Sequence, residues 1–362
     1  MPLPAGSSIL APVTLHGLRE PFGVGLVSAG GQAVEAQRFT APELARVLSL
    51  YDLGQVESAR PLLRGTPDAP KAVIVARGRK YLLKRRAPGN DDPLQVAAGH
   101  SVVLHVLERG FPTPALIGTR EDNNSMLQIG RQVYELFEFV EGQPCDTTPD
   151  QCRQAGMSLA ELHGMLVTCH PQFEVPVSSF HDSPTIAARL ERLASRLGPD
   201  DRRLATQVLA KYRSAAGDVD RGGFAGLSRQ LIHADWHPGN LLFLDGRLNG
   251  VLDFDSPRLA PRVIDLASGA LQFSLAASRE GTLDLDGTRL NAFLEGYAQT
   301  PGGGIVAAER SMLAPLMVES LIAEAAVPLD VTGRFGPWEA RAFLEQVLRL
   351  IPTILAPGGT PR

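Results

Sequence analysis

The chain is poor in cysteine, in net charge and in long apolar runs, and each shortage removes a class of protein. Only Cys145, Cys152 and Cys169 occur in 362 residues, with no CxxC spacing. Neither a disulfide framework nor a thiolate zinc site is suggested, and a reducing, cytoplasmic location is expected. The 35 basic and 39 acidic residues leave a net charge of −4. That balance favours neither a nucleic-acid nor an anionic-membrane partner, and neither is expected. The opening MPLPAGSSILAPVTLHGLRE has no basic n-region. No later segment reads as reaching the roughly 20 apolar residues of a bilayer span, so export and membrane insertion are not expected. Internal repeats are also lacking. What is present, 44% apolar and 20% charged residues, suits one large or two modest globular domains.

Residues 1–38 and 353–362, rich in Gly, Pro, Ser and Ala, read as loose ends. Between them the hydrophobic period changes twice. FTAPELARVLSLYDLG carries Thr40 and Glu43 in capping-box spacing and ends on Gly54, which predicts a short helix. VESARPLLRG, KAVIVARG and KYLLKRR then read as strands of a meander. Asp92 and Pro93 supply the cap and first turn of a helix that stops at Gly110. FPTPALIGTRED and NNSMLQIGRQVYELFEFVEG complete the sheet, with Asn123-Asn124 as its hairpin turn. Past Gly142, helical stripes cover 150–169, 185–216, 286–299, 306–326 and 337–351, and only LLFLDG and LNGVLDFD read as strands, joined near Asp245-Gly246. A β-rich lobe over 39–142 and a larger helical lobe over 143–352 follow.

The chemistry concentrates in HADWHPGNLLFLDGRLNGVLDFD, residues 233–255. Phosphoryl transfer asks a protein for a carboxylate that takes the proton of the attacking hydroxyl and for oxygen ligands to magnesium on the nucleotide phosphates. Asp235 is the base by this reading, Asn240 holds magnesium through its amide oxygen, and Asp253 bridges metal and phosphates. Each of the three could merely cap a turn or end a strand, but their joint order with apolar strands between points to the site. His233, beside the carboxylate, reads as a hydrogen-bonded brace. His237 is either a helper near the phosphates or a loop residue, and Asp255 is open. A zinc site from His233, Asp235 and His237 is disfavoured, because Pro238-Gly239 ends any strand there and no thiolate is near.

HADWHPGN, then VLDFD, then VIDLA together resemble the aminoglycoside phosphotransferase and homoserine kinase-like branch of the protein-kinase-like fold. The resemblance implies an α+β, bilobal architecture, ATP and magnesium as cofactors, and a small-molecule alcohol as acceptor. It places the catalytic-loop histidine and aspartate on His233 and Asp235, the metal ligands on Asn240 and Asp253, and a loop-bracing aspartate on Asp265. It also implies that Lys84 contacts the α and β phosphates, that the backbone of Glu138-Phe139-Val140 meets the adenine edge, and that a phosphate-covering loop lies between the first two strands.

Two departures accompany the resemblance. The covering loop, LLRGTPDAPKAVIV, has one glycine, which leaves Gly65 and Thr66 as candidates to offer N–H groups. The helix that carries a lysine-pairing glutamate in the family has Gly99 or His100 at that position, so Asp91 or Asp92 substitutes or the site assembles differently. Only FDSPRLAPRVI separates Asp253 from Asp265, and Ala234 stands where protein kinases carry an arginine. Both features favour a small acceptor, and Glu319, Glu324 and Asp330 are candidates to select an amine. A catalytically silent nucleotide- or metabolite-binding protein is the second reading, and a protein kinase the third.

Overall fold

The computed structural model describes residues 37–63, 68–277 and 282–356. The first helix, α1 (Ala41–Leu48), starts on the reciprocal box read from the sequence: the Thr40 hydroxyl accepts from the Glu43 N–H, and the Glu43 carboxylate accepts from the Thr40 N–H. Strands β1 (Val56–Pro61), β2 (Lys71–Ala76) and β3 (Arg79–Arg85) follow as an antiparallel meander. Helix α2 (Pro93–Leu107), capped by Asp92, precedes β4 (Leu127–Ile129) and β5 (Gln132–Glu138). The sheet order is β1-β2-β3-β5-β4, so β5 lies beside β3.

The period of two sorts this sheet into a dry face and a charged one. Ile74, Tyr81, Leu83, Tyr134 and Leu136 turn toward α1 and pack with Val47 and Tyr51 in a small core. Lys84 and Glu135, directly opposite each other across β3 and β5, belong to the other face. The β4–β5 turn sits at Gly130-Arg131, not at Asn123-Asn124, because Gly130 takes φ +63° at no steric cost. Asn124 instead closes a loop, its carbonyl accepting from the Thr119 N–H at 2.9 Å. FPTPALIGT adds one bridge, Leu116 to Phe137, since its two prolines remove ladder donors.

The helical lobe runs β6 (Gln143–Pro144), α3 (Pro149–Leu166), α4 (Pro184–Arg196), α5 (Pro199–Arg221), β7 (Arg229–Ile232), β8 (Leu241–Leu244), β9 (Arg247–Val251) and β10 (Arg258–Pro261). It continues through α6 (Val263–Ser274), β11 (Leu275–Ala277), β12 (Leu283–Leu285), α7 (Gly287–Gln299), α8 (Ala307–Thr332), β13 (Arg334–Phe335), β14 (Trp338–Glu339) and α9 (Ala340–Leu355). The helix expected over 185–216 divides at Gly198-Pro199, because Gly198 before the proline takes an extended ψ of 168° and Pro199 starts a new first turn. Helix α6 showed no stripe because nearly all of its residues are buried, so no face is marked polar. Strands β7 and β10 are too short for a period, and their antiparallel pairing is long-range.

Helix α8 corrects the reading of apolar runs. Its 26 residues are long and apolar enough to cross a membrane by length and composition, yet 78% of its most apolar window is buried inside the protein. It is the core helix, packed on α4, α5, α6 and α9. Helices α3 and α7 meet backbone to backbone: a Cβ at Gly156 would fall 2.0 Å from the Phe293 carbonyl oxygen, and one at Gly296 would fall 2.1 Å from that of Arg153. Helix α9 reaches Leu355, past the boundary expected at 352.

Candidate active site

Pairing of Ile232 with Arg258 across β7 and β10 sets the loop after β7 beside the segment after β9. The Leu252 N–H also donates to the Asn240 carbonyl at 2.8 Å, tying the two together. Ala234 and Asp253 hold φ of +63° and +69°, a conformation that costs non-glycine residues about 1–3 kcal/mol each. The strain at Ala234 is held by Asp265, whose carboxylate oxygens accept from the His233 N–H at 2.7 Å and the Ala234 N–H at 2.8 Å. His163 contacts Asp265 at 3.2 Å and is oriented in turn by the Tyr297 hydroxyl at 2.8 Å.

His233 has both ring nitrogens committed. Nδ1 accepts from the Asp235 N–H at 3.2 Å, which leaves the proton on Nε2 for donation to the Leu252 carbonyl at 3.2 Å. Burial lowers its pKa, against the raising effect of Asp265 and Asp235. Both nitrogens of this buried imidazole are thus engaged with the backbone of the loop and of the segment after β9. Asp235 receives the Asn240 Nδ2 on its carbonyl at 2.9 Å and on Oδ2 at 3.0 Å. Because both of those oxygens only accept, the amide must present nitrogen there, and Asn240 Oδ1 points elsewhere. His237 accepts the Gly239 N–H on Nδ1, so its proton lies on Nε2, a buried atom without a hydrogen bond, 3.5 Å from Asp235 Oδ1.

Strand β9 ends at Val251, short of the expected Asp255, and Leu252–Asp255 leave the ladder. That departure turns Asp253 toward β3, where Lys84 Nζ approaches its Oδ1 at 3.4 Å. Lys84 pairs more closely with Asp255. The other Asp255 oxygen meets Arg86 Nη2 at 2.9 Å, and Arg86 grips Glu135 with two bonds of 2.6 and 2.7 Å. Burial would raise the Glu135 pKa, but the Arg86 guanidinium and then Lys84 outweigh it and hold the carboxyl at about 2. Burial likewise opposes the charged form of Arg86, and the Asp255 and Glu135 carboxylates overcome it and raise its pKa.

The candidates therefore divide. Asp235, Asn240, Asp253 and Lys84 converge, with His233 behind them. Glu138 and Val140 lie at and just beyond the end of β5, and Val140 packs where a Cβ on Gly250 would come within 2.8 Å. Gly65 and Thr66 lie outside the described residues. Neither Asp91 nor Asp92 reaches Lys84: Asp91 accepts from the Gly89 N–H and Asp92 caps α2. Among the described residues, no three His, Cys, Asp or Glu side chains are placed to hold a metal together. Burial pushes the Cys145 and Cys152 thiols up to about 12, which keeps them inert.

Sequence reasoning missed Arg86, Glu135, His163 and Arg258. Arg258, buried on β10, donates to the Ser178 hydroxyl at 2.7 Å and faces the Asp235 and Asp265 charges, while burial lowers its pKa. None of the four lies in a contiguous motif. The one available signal was alternation: Arg86 lies two residues after Lys84 and so shares its face.

A five-stranded antiparallel lobe with a buried lysine, set over a helical lobe that presents an Asp-Asn loop and an aspartate after a hairpin, is a protein-kinase-like architecture. The chain belongs to the APH phosphotransferase enzyme family, whose profile matches residues 58–307. It is similar to homoserine kinase of Rhodopseudomonas palustris, with 26% identity over 219 residues, 59% of this chain and 63% of that protein. Homoserine kinase of Phenylobacterium zucineum is 25% identical over 273 residues, 71% of this chain and 76% of that one. The match thus spans less than two thirds of the first relative's length. Among solved structures, a microcompartment-associated aminopropanol kinase has a TM-score of 0.67 at 18% identity, covering 87% of this chain and 98% of that one. A spectinomycin phosphotransferase in complex with ADP and spectinomycin has a TM-score of 0.61 at 16% identity, covering 88% and 98%. These two likenesses are of fold.

Proposed function

We propose that the protein is an ATP- and magnesium-dependent phosphotransferase that moves the γ-phosphoryl group to a hydroxyl of a small molecule. The observation that carries this reading is the pairing of Lys84 with Asp253 beside the Asp235–Asn240 loop, the two joined by the bond from the Leu252 N–H to the Asn240 carbonyl. Asp235 takes the proton of the acceptor hydroxyl as the acceptor oxygen bonds to the γ-phosphorus. The bond to the bridging oxygen breaks, and ADP leaves with its electron pair. The amide oxygen of Asn240, directed away from Asp235, and the carboxylate of Asp253 are hard oxygen donors of the kind magnesium takes alongside water and phosphate. Magnesium, when bound, neutralises charge on the phosphates. Lys84 supplies a fixed cation to the α and β phosphates. The Glu138 and Phe139 N–H groups are committed to Ala115 and Lys80 carbonyls at 2.8 and 3.1 Å. The adenine edge is therefore assigned to the Glu138 carbonyl and the Val140 N–H.

The acceptor is small, because the segment from Asp253 to Asp265 is occupied by β10 and the start of α6 and has no length left to dock a peptide. An amino alcohol is favoured. Of the three acidic candidates, Glu319 pairs with His181 at 2.9 Å and Asp330 with Arg189 at 3.1 Å and Arg192 at 2.9 Å. Glu324, on α8, has its carboxyl pushed up to about 8 by burial and then by the Asp235 charge. A bound ammonium would supply a countercharge that none of the described residues gives it. Homoserine and aminopropanol, named for two of the similar kinases, each carry an amine and a hydroxyl.

Purified protein with Mg-ATP should release ADP in the presence of homoserine, aminopropanol or a related amino alcohol, and only with magnesium. Failure to bind nucleotide in a magnesium-dependent way, with no turnover on that panel, overturns the proposal. Nucleotide binding without any turnover would favour the silent binding protein, and phosphate found on a peptide would favour the protein kinase.

A further inference from the structure

The family resemblance asks for an acidic partner to Lys84 on α2, at Gly99 or His100, and neither position supplies one. A Cβ at Gly99 would lie 2.7 Å from the Phe254 carbonyl oxygen, so the helix rests directly on the segment that joins Asp253 to Asp255. The next residue, His100, turns away to other partners, with Nε2 at 2.7 Å from Glu135 and Nδ1 at 2.8 Å from the Ser125 hydroxyl. The countercharge reaches Lys84 from that segment itself. We infer that Asp255, fixed from behind by Arg86 and Glu135, positions Lys84 for the nucleotide phosphates in place of a helix glutamate; this rests on the reading that Lys84 binds those phosphates.

The arrangement has a division of labour in it. Each Asp255 oxygen has its own cation, Lys84 on one and Arg86 on the other. Arg86 is kept from swinging away because Nε and the same Nη2 make the bidentate grip on Glu135, which is fully buried and also held by His100. Glu135 stands directly across the ladder from Lys84 and attracts it by charge, while its hydrogen bonds go to Arg86 and His100. Lys84 is thus shared between Asp253 and Asp255. Asp253 can give up its share to a metal while Asp255 keeps the ammonium in place. Because the two aspartates lie two residues apart on one short segment, the metal ligand and the lysine anchor are set in a common register.

Equilibrium titration with Mg-ATP, with no acceptor present, tests this on four full-length variants. Lys84→Met should weaken binding at least tenfold. Asp255→Asn, nearly isosteric, should weaken it by a comparable factor. Arg86→Met should weaken it about threefold or more, which keeps the test open if Asp255→Asn does not fold. The double variant Lys84→Met/Asp255→Asn should bind no more weakly than Lys84→Met alone, because a residue acting through the lysine has nothing to position once the lysine is gone. If folded Asp255→Asn and Arg86→Met bind like the wild type while Lys84→Met does not, the inference is wrong. It is also wrong if the losses in the double variant add in full. If Lys84→Met itself binds like the wild type, the underlying reading of Lys84 fails instead.

Discussion

The two halves of the site are held by different means. The loop of residues 233–240 is fixed by its own backbone: Asp265 clamps the His233 and Ala234 N–H groups, and His233 and Asn240 fasten Asp235. The Lys84 ammonium is held by side-chain charge, through carboxylates and a guanidinium drawn from the residue after β3, from β5 and from the segment after β9. A backbone clamp sets an atom's position to within a hydrogen bond's tolerance. A charge cluster sets a balance, and that balance can be redistributed when another cation or anion arrives. The difference suits the proposed tasks, since a proton acceptor would have to stay where it is and a phosphate-binding lysine would have to exchange partners.

The comparison can be broken first at the loop. Asp235→Asn should lower kcat by about 10²–10⁴-fold while leaving Mg-ATP affinity within a few-fold of wild type, as read by steady-state kinetics beside a binding titration. Equal losses in both would mean that Asp235 serves binding and not proton transfer. Next in size, Asp265→Asn weakens a charge-assisted clamp, and urea unfolding should report a loss of about 1.5–3 kcal/mol together with a fall in kcat, since Ala234 no longer has its strain supported.

The charged half has its own signature in acid. The Glu135 carboxyl is held at about 2, below an unfolded value of about 4.3. The folded state therefore binds fewer protons than the unfolded state between those values, and stability falls as pH falls. The contribution is complete above about pH 5 and lost on the way down to pH 2. Unfolding free energies from urea titrations between pH 5 and pH 3 should decline more steeply in the wild type than in Glu135→Gln, by about 1.5 kcal/mol over that span. Parallel slopes would remove Glu135 as a charged anchor. The smallest effect lies away from both halves: Thr40→Ala deletes one cap and should cost about 1 kcal/mol in a urea titration, with turnover unchanged.

The same division governed what could be read from the sequence. The loop and hairpin residues form one run, HADWHPGNLLFLDGRLNGVLDFD, and chemistry that lies along the chain is visible along the chain. The anchors of Lys84 come from positions 86, 135 and 255, which only the folded β3–β5 ladder and the close approach at Gly99 bring together. Elements marked by local chemistry, such as the Thr40 box and the Asp92 cap, were legible for the same reason. Helix α6 and strands β7 and β10 were not, since complete burial erases a periodic face and four-residue strands have too few positions to show one. At Gly130 and Pro199 a backbone preference overrode a composition signal, moving one turn and splitting one helix.

On the proposed reading, Asp235 accepts a proton while a γ-phosphoryl group passes from ATP to a small alcohol. Phosphorus NMR of the wild type with ATP, magnesium and an amino alcohol tests it most directly, run beside Asp235→Asn under the same conditions. A phosphomonoester signal should grow as the γ signal of ATP falls, need magnesium, and be lost in the variant. A phosphomonoester formed by Asp235→Asn at the wild-type rate, or none formed by a wild type that binds Mg-ATP across the whole acceptor panel, would contradict it.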